Sequence, residues 1–578
     1  MSEFDLVVRG GTVVDGTGAE PRTADVAVRD GRVVAVGGVS GRGWREIDAA
    51  GLLVTPGFVD IHTHYDGQAT WDDRLSPSCF HGVTTAVMGN CGVGFAPCRP
   101  EHRELLIRLM EGVEDIPGAV LTEGLDWRWQ SFPEFLAALE SRPHDIDFAT
   151  QVPHAALRVF AMGERGANRE PANADDIAVM ARLAHEGVRA GALGFSTSRT
   201  LNHRTSDGQP TPTLTAEEDE LTGIAMALAE AGAGVLQVVS DFKDLGAEWG
   251  MLRRIVERSR RPLSVSLVQN DRRPAAYRAI LAAIDEAAND GLSVKAQVCG
   301  RAVGIVLGLE CSLNPFAGNP VYRDIARLPL NERCARLRDP ELRAKLLAAN
   351  REVGGMAGAL MQQWGKMFAL AQTPDYEPTA EQSIAARAAA RGVTPAEAAL
   401  DAMLERGGKG LLYVPFLNYA EGSLDPALEM MKHAHTVLGL GDGGAHVGMI
   451  CDGSLPTFML THWTRDRSRG ERLALPWVIK AQSADTARAV GLCDRGVLAP
   501  GYRADLNVID YERLTLPAPE VVADLPAGGR RLLQRAGGYV ATVVRGEIVY
   551  ERGEPTGALP GRLVRGAQPS PAAAAHRV

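Results

Sequence analysis

The chain opens on short Val-rich runs at positions 5–8, 12–14, 24–28 and 32–36, interrupted by Gly10-Gly11, Asp15-Gly16 and Asp30-Gly31. β-branched runs of this length, cut by Gly and Asp-Gly pairs, are the pattern of antiparallel hairpins. The same texture returns at 504–510 and 538–550. The pattern therefore predicts a small β-sandwich domain built from both chain ends, spanning 1–55 and 497–566.

Between those ends the texture alternates. Apolar strand-like runs at 54–61, 83–88, 148–152, 192–195, 234–239, 263–268, 292–298 and 436–440 are mostly separated by helical patterns. Such a series predicts an α/β fold, and its eight runs suit a TIM-type (β/α)8 barrel over 56–496. Thr215-Ala-Glu-Glu218 reads as a capping box, followed by Leu221, Ile224, Ala225 and Leu228 on one helical face. A stretch from 316 to 435 separates the last two barrel strands, far beyond an ordinary connection. It reads as an insertion, with a helical pattern at 340–349, a helix start at Thr394-Pro-Ala-Glu397 and an apolar run at 411–417. Long additions after barrel strands lie at the active-site mouth, so a lid or pocket wall is expected there. Positions 567–578, with Pro and an Ala run, read as a flexible tail.

Composition narrows the class. With 578 residues, 45% hydrophobic and 23% charged, a mostly disordered chain and a collagen-like repeat are both excluded. A formal charge of −10 without a long basic block speaks against a nucleic-acid partner. The 8 cysteines are too dispersed for a secreted disulfide framework. The first residues lack a basic and an apolar signal region, and no run approaches a membrane span, so a cytoplasmic protein without a membrane partner is expected. A homo-oligomer is compatible with all of this.

The chemistry concentrates in Thr55-Pro-Gly-Phe-Val-Asp-Ile-His-Thr-His64. Residues two apart in a strand point the same way, so His62 and His64 present two imidazoles at a strand's carboxyl end. Two neutral nitrogens so placed suit a divalent metal such as zinc. This segment resembles the first-strand motif of the amidohydrolase superfamily. The segment 82–97, with Gly-Asn-Cys91-Gly-Val-Gly-Phe, resembles the second strand of its D-aminoacylase branch, the N-acyl-D-amino-acid deacylases. In that branch a cysteine replaces the bridging lysine, and the matching position here is Cys91; on residues alone a buried inert thiol stays open. Asp442, in Gly-Leu-Gly-Asp-Gly-Gly-Ala-His446, resembles the last-strand aspartate, whose implied role is to touch the metal, take a proton from the attacking water and pass it to the departing nitrogen. An Asp-Gly turn is the alternative. His446 stands open as a ligand, a transition-state contact or a loop histidine. Segments 476–510 resemble the superfamily's closing helix and its return to the β-domain.

The resemblance implies a hydrolase of a small-molecule amide, acting on carbon–nitrogen bonds other than peptide bonds through metal-activated water. It also implies departures. D-aminoacylases carry a histidine at the ends of the fifth and sixth strands, whereas the matching segments here contain Gln237 and Gln269. Neutral amide oxygens are poor zinc ligands beside imidazole or thiolate, so a single Zn2+ held by His62, His64, Cys91 and Asp442 is expected rather than a filled pair. The family's lysine and arginine for a substrate carboxylate are missing from their places; Arg199 and Arg301 are candidate substitutes, and His154, His203, His446, Gln237 and Gln269 candidate substrate-binding residues. Those losses keep lyase, isomerase or amide-forming chemistry open on the same fold. A non-catalytic scaffold is disfavoured, because scaffolding needs neither histidine.

Overall fold

In the computed structural model, residues 2–349 and 355–571 are described. Strands from both ends of the chain share one nine-stranded sheet. Its seam is Leu53–Pro56, parallel to Phe4–Val13 on one side and antiparallel to Leu506–Ile509 on the other. Val8, Val26, Val54, Leu506, Val508 and Val543 are buried together there, which explains the strict Val punctuation of both termini.

Strands β1 (Phe58–Asp60), β2 (Val83–Met88), β3 (Asp147–Thr150), β4 (Gly194–Arg199), β5 (Val235–Ser240), β6 (Leu263–Leu267), β7 (Val294–Val298) and β8 (Thr436–Leu438) follow in chain order. β1 to β3 form one parallel ladder and β4 to β8 another. The ladders meet at two seams: at one Leu193 donates its N–H to Thr150 O at 2.9 Å, and at the other Asp442 donates to the carbonyl of His62 at 2.9 Å, beside a parallel bridge between Thr63 and Gly443. Helices such as Ala174–Ala190, Glu218–Ala231, Leu245–Ser259 and Ala276–Asn289 lie between consecutive strands. Every residue of β2 is buried, as in a parallel sheet covered on both faces, so its sequence, Val-Thr-Thr-Ala-Val-Met, shows no in–out alternation.

Local differences from the expected pattern have physical causes. The run at 54–61 is two strands, broken at Gly57, which donates to the Asp505 carbonyl at 2.9 Å and whose place leaves no room for a Cβ beside Thr84. β4 extends through Ser196, Thr197 and Ser198, because the polar side chains inside find partners; Ser196 Oγ accepts from Gly92 N at 2.9 Å. The expected capping box does not form: the helix starts at Glu218, and Thr215 instead donates its hydroxyl to Arg169 O at 3.2 Å.

The segment between β7 and β8 has its own core, including Leu307, Phe316, Leu337, Leu346, Ile384 and Leu400. It begins before residue 316, because Val303–Gly308 pairs antiparallel with Leu411–Leu417, which also holds Phe368–Ala369. Helix Pro340–Ala348 is present, and Thr394 caps helix Pro395–Gly408 by accepting from Glu397 N at 3.2 Å. The expected tail is tied down at its start, where Gln568 exchanges backbone hydrogen bonds with Gly491 and Cys493, both 2.8 Å; positions 572–578 lie outside the described residues. Among the described residues no helix is long and apolar enough to cross a membrane.

Candidate metal centre

Three segments converge just beyond the carboxyl ends of β1, β2 and β8. His62 and His64 follow β1 directly, and their backbone is fastened to the far strand because His64 N donates to Gly443 O at 2.8 Å. Cys91 lies in the turn after β2 with a left-handed backbone (φ 55°), and a Cβ on the neighbouring Gly92 would lie 2.9 Å from Thr197 Cα. Asp442 (φ 42°) and His446 (φ 49°) are left-handed too. Non-glycine residues in that region cost of order 1–3 kcal/mol each and persist where surrounding structure imposes them, commonly at functional sites.

His62 Nε2 lies 3.3 Å from Cys91 Sγ and 3.3 Å from Asp442 Oδ1, and His64 Nε2 lies 3.6 Å from the same Asp442 oxygen. The donor atoms of His62, His64 and Cys91 all fall within 4.8 Å of one another. Zinc bonds of about 2.0 Å to nitrogen and 2.3 Å to sulfur, at a tetrahedral angle, separate two ligand atoms by about 3.5 Å. The spacing and the chemistry of these donors therefore fit one divalent ion. His62 and His64 side chains are 1% exposed against 19% for Asp442, which makes the carboxylate the member that faces the open side.

The four donors sit in unlike electrostatic surroundings. Burial pushes the Cys91 thiol up to about 11, and burial lowers His62 to about 4. Burial would also lower His64, but Glu114, Asp442 and Cys91 outweigh it and raise that imidazole well above the ordinary range. Asp442 is held well below the usual carboxylate range, because the contacts of His64 and His62 overcome its burial. Burial pushes the Asp60 carboxyl, which accepts from His62 N at 3.1 Å, up to about 7.

Residues that the sequence did not single out fix the ligands from behind. His62 Nδ1 is 2.7 Å from Gln297 Oε1 on β7, whose amide nitrogen donates to Ser264 Oγ at 3.0 Å. His64 Nδ1 lies 3.3 Å from Glu114 Oε1, at the end of helix α1 (Arg103–Glu114). Asn90 donates to the carbonyls of Thr63 and Val87 at 3.1 and 2.9 Å, locking the Cys91 turn onto β1. Gln297 carried one faint signal, an amide at a buried position of its strand, where Lys295 is the exposed one. Glu114 carried none, because a Glu at a helix end reads as solvated.

The remaining candidates fall at varied places. Gln237 Oε1 accepts from Cys91 N at 2.9 Å, so it pins the ligand's backbone. Gln269 Oε1 accepts from Ala420 N at 3.1 Å, which fastens the end of the inserted segment rather than reaching the cluster. His203 is half-buried with Nδ1 2.9 Å from Ser198 Oγ; desolvation, then the charges of His446 and His64, push it down to about 3. His446 Nε2 is 3.6 Å from Glu114 Oε2. The other three are engaged elsewhere: Arg199 with Glu248 at 2.5 Å, Arg301 with Asp452 in full burial, and His154 between Thr197 Oγ1 and Glu220 Oε1, both 2.8 Å.

The amidohydrolase family matches residues 45–550, and the chain belongs to that family. It is similar to the D-aminoacylase of Alcaligenes xylosoxydans xylosoxydans, 36% identical over 195 residues, which are 34% of this chain and 37% of that protein's length. The N-acyl-D-glutamate deacylase of the same organism is 27% identical over 583 residues, covering 98% of this chain and 97% of that one. Among solved structures, a D-aminoacylase whose binuclear metal centre is described by one-metal activation and second-metal attenuation matches with a TM-score of 0.64 over 98% of this chain and 100% of that one, at 24% identity. The fold is that of D-aminoacylase. The chain is a metal-dependent hydrolase acting on carbon–nitrogen bonds other than peptide bonds, and the donor atoms of His62, His64 and Cys91 lie close enough together to hold a metal ion.

Proposed function

We propose that the chain deacylates an N-acyl amino compound of the D-amino-acid type with a single zinc ion, on a closed (β/α)8 barrel. The observation that carries this is the convergence of His62 Nε2, His64 Nε2, Cys91 Sγ and Asp442 Oδ1 at ligand spacing. The N-acyl-D-glutamate deacylase match over nearly the whole chain supports the substrate class. When bound, the ion supplies Lewis-acid polarisation of the scissile carbonyl and makes a neighbouring water more acidic.

The chain's own groups do the rest. Asp442, ionised and the most exposed of the four, takes the proton of the attacking water and returns it to the leaving nitrogen as the carbon–nitrogen bond breaks. Gln237 occupies the fifth-strand position with its oxygen already accepting from Cys91 N, which disfavours a second tightly held ion. His203 and His446 are the polar side chains offered to the substrate. The inserted segment forms a pocket wall, because Val306 N donates to Met449 O at 2.6 Å and Ser312 N to Gly448 O at 3.0 Å, on the loop that follows Asp442.

A panel of N-acyl-D- and N-acyl-L-amino acids, assayed for free carboxylate and amine with metal content measured alongside, tests the proposal. Hydrolysis of D-configured members at about one metal per chain is expected. Metal-loaded protein that turns over only other amides would overturn the substrate class.

A further inference from the structure

Taking His62, His64, Cys91 and Asp442 as the ligand set proposed above, we propose that Glu114 is a positioning residue that aligns His64 on the metal. Glu114 is 1% exposed and ends helix α1. Among the described residues its ion-pair partners are the two histidines, His64 Nδ1 at 3.3 Å and His446 Nε2 at 3.6 Å; its backbone carbonyl also accepts from His446 N. A carboxylate there is unfavourable on two counts: it is buried, and it sits at the negative end of a helix dipole. Groups that break local rules in this way are expected where function requires them.

The fold does not need that side chain to hold the loop carrying His446. Asp115, left-handed at φ 51°, accepts from Gly448 N at 3.1 Å and from Ser312 Oγ at 3.0 Å. Val447 O accepts from Leu532 N, and Met449 O from Val306 N, both at 2.6 Å. What Glu114 adds is chemical. His64 Nδ1 and Glu114 Oε2 are both buried without a hydrogen-bond partner, and the Nδ1 proton must be present when Nε2 serves as a ligand. At 3.3 Å, though not hydrogen-bonded to Nδ1, the Glu114 carboxylate favours the tautomer that carries this proton and raises the donor strength of Nε2. His62 has a neutral counterpart, Gln297 Oε1, at its own Nδ1. The two imidazoles are therefore backed by unequal charge, with His64 the stronger donor.

The test is the rate at which metal leaves the full-length protein for a chelator, followed in wild type, Glu114→Gln and Asp115→Asn. Loss of an outer carboxylate typically costs 10–100-fold in metal affinity. Glu114→Gln, nearly isosteric, should release metal about 10–100-fold faster and shift the visible bands of the cobalt-substituted protein. Asp115→Asn, which loosens the loop without touching His64, should stay near wild type. A Glu114→Gln rate within about twofold of wild type, or equal acceleration in both variants, would overturn the proposal. Should Glu114→Gln fail to fold, Glu114→Asp decides: it keeps the charge but withdraws it from His64, so faster release supports the role and an unchanged rate refutes it. Wild-type protein that retains no divalent metal would instead refute the ligand set itself.

Discussion

At the scale of single residues, Asp442 is asked to do two things, and substitutions separate them. An amide nitrogen leaves poorly as an anion, so it must be protonated as the tetrahedral intermediate collapses. Asp442→Asn keeps an oxygen near His62 and His64 but no base, so turnover should fall by at least ~10²-fold while much of the metal stays, as read by paired kinetics and metal analysis. His62→Ala should instead lose the metal. Near wild-type turnover in Asp442→Asn would move the proton transfer elsewhere, with His446 the first group to examine. His62 and His64 were legible because strand periodicity forces both imidazoles to one side, and Asp442 because a carboxylate followed by two glycines ends an apolar run. Cys91 was legible through family resemblance alone, since its place depends on a left-handed turn that no periodicity announces. Glu114 and Gln297 were invisible in their roles: their partners are 50 and 235 positions away, and only packing brings them together.

At the scale of elements, the turn Ser78–His81 leads into β2 and carries a titrating group. His81 is buried with Nδ1 2.9 Å from Thr457 Oγ1 and Nε2 2.9 Å from the Gln534 carbonyl, and burial lowers it from 6.5 to about 4. As pH falls below 6.5 the unfolded chain takes up a proton that the native state refuses until about 4, so this contribution is complete above 6.5 and lost on the way down. Between pH 7 and 4 it amounts to about 3 kcal/mol. Urea unfolding of wild type should show that extra loss relative to His81→Gln; parallel pH dependences would refute it. The inserted segment offers a second test. Exchanging residues 303–417 for a relative's should change substrate preference if the segment walls the pocket, whereas unchanged preference in a folded, metal-loaded chimera would remove it from that role. Strands read well from apolar runs because every side chain of β2 is buried, while the insertion's first strand, Val303–Gly308, escaped notice because its partner lies about a hundred residues on. The Thr215 cap failed for a related reason: a hydroxyl able to cap a helix was captured by a carbonyl from another segment.

At the scale of the whole molecule, the donors of the proposed centre come from positions 62, 64, 91 and 442, so an ion held there would close the chain across β1, β2 and β8. The ordering of eight parallel runs between two Val-rich ends was legible because it is written in residue type. The way the ends pair was not, since Leu53–Pro56 bonding to Leu506–Ile509 is a contact across the full chain. That closure makes metal binding a stability measurement. An ion that binds only the folded state stabilises by RT ln(1 + [L]/Kd), about 2.7 kcal/mol at a hundredfold excess over Kd. Titrating zinc into chelator-stripped protein should therefore raise the unfolding midpoint through the first equivalent. The second equivalent should add little, because Gln237 offers an amide already bonded to Cys91 N and Gln269 is committed to Ala420 N. If the second equivalent stabilised as much as the first and both were required for turnover, those glutamines, or His203 beside them, would have to be ligands.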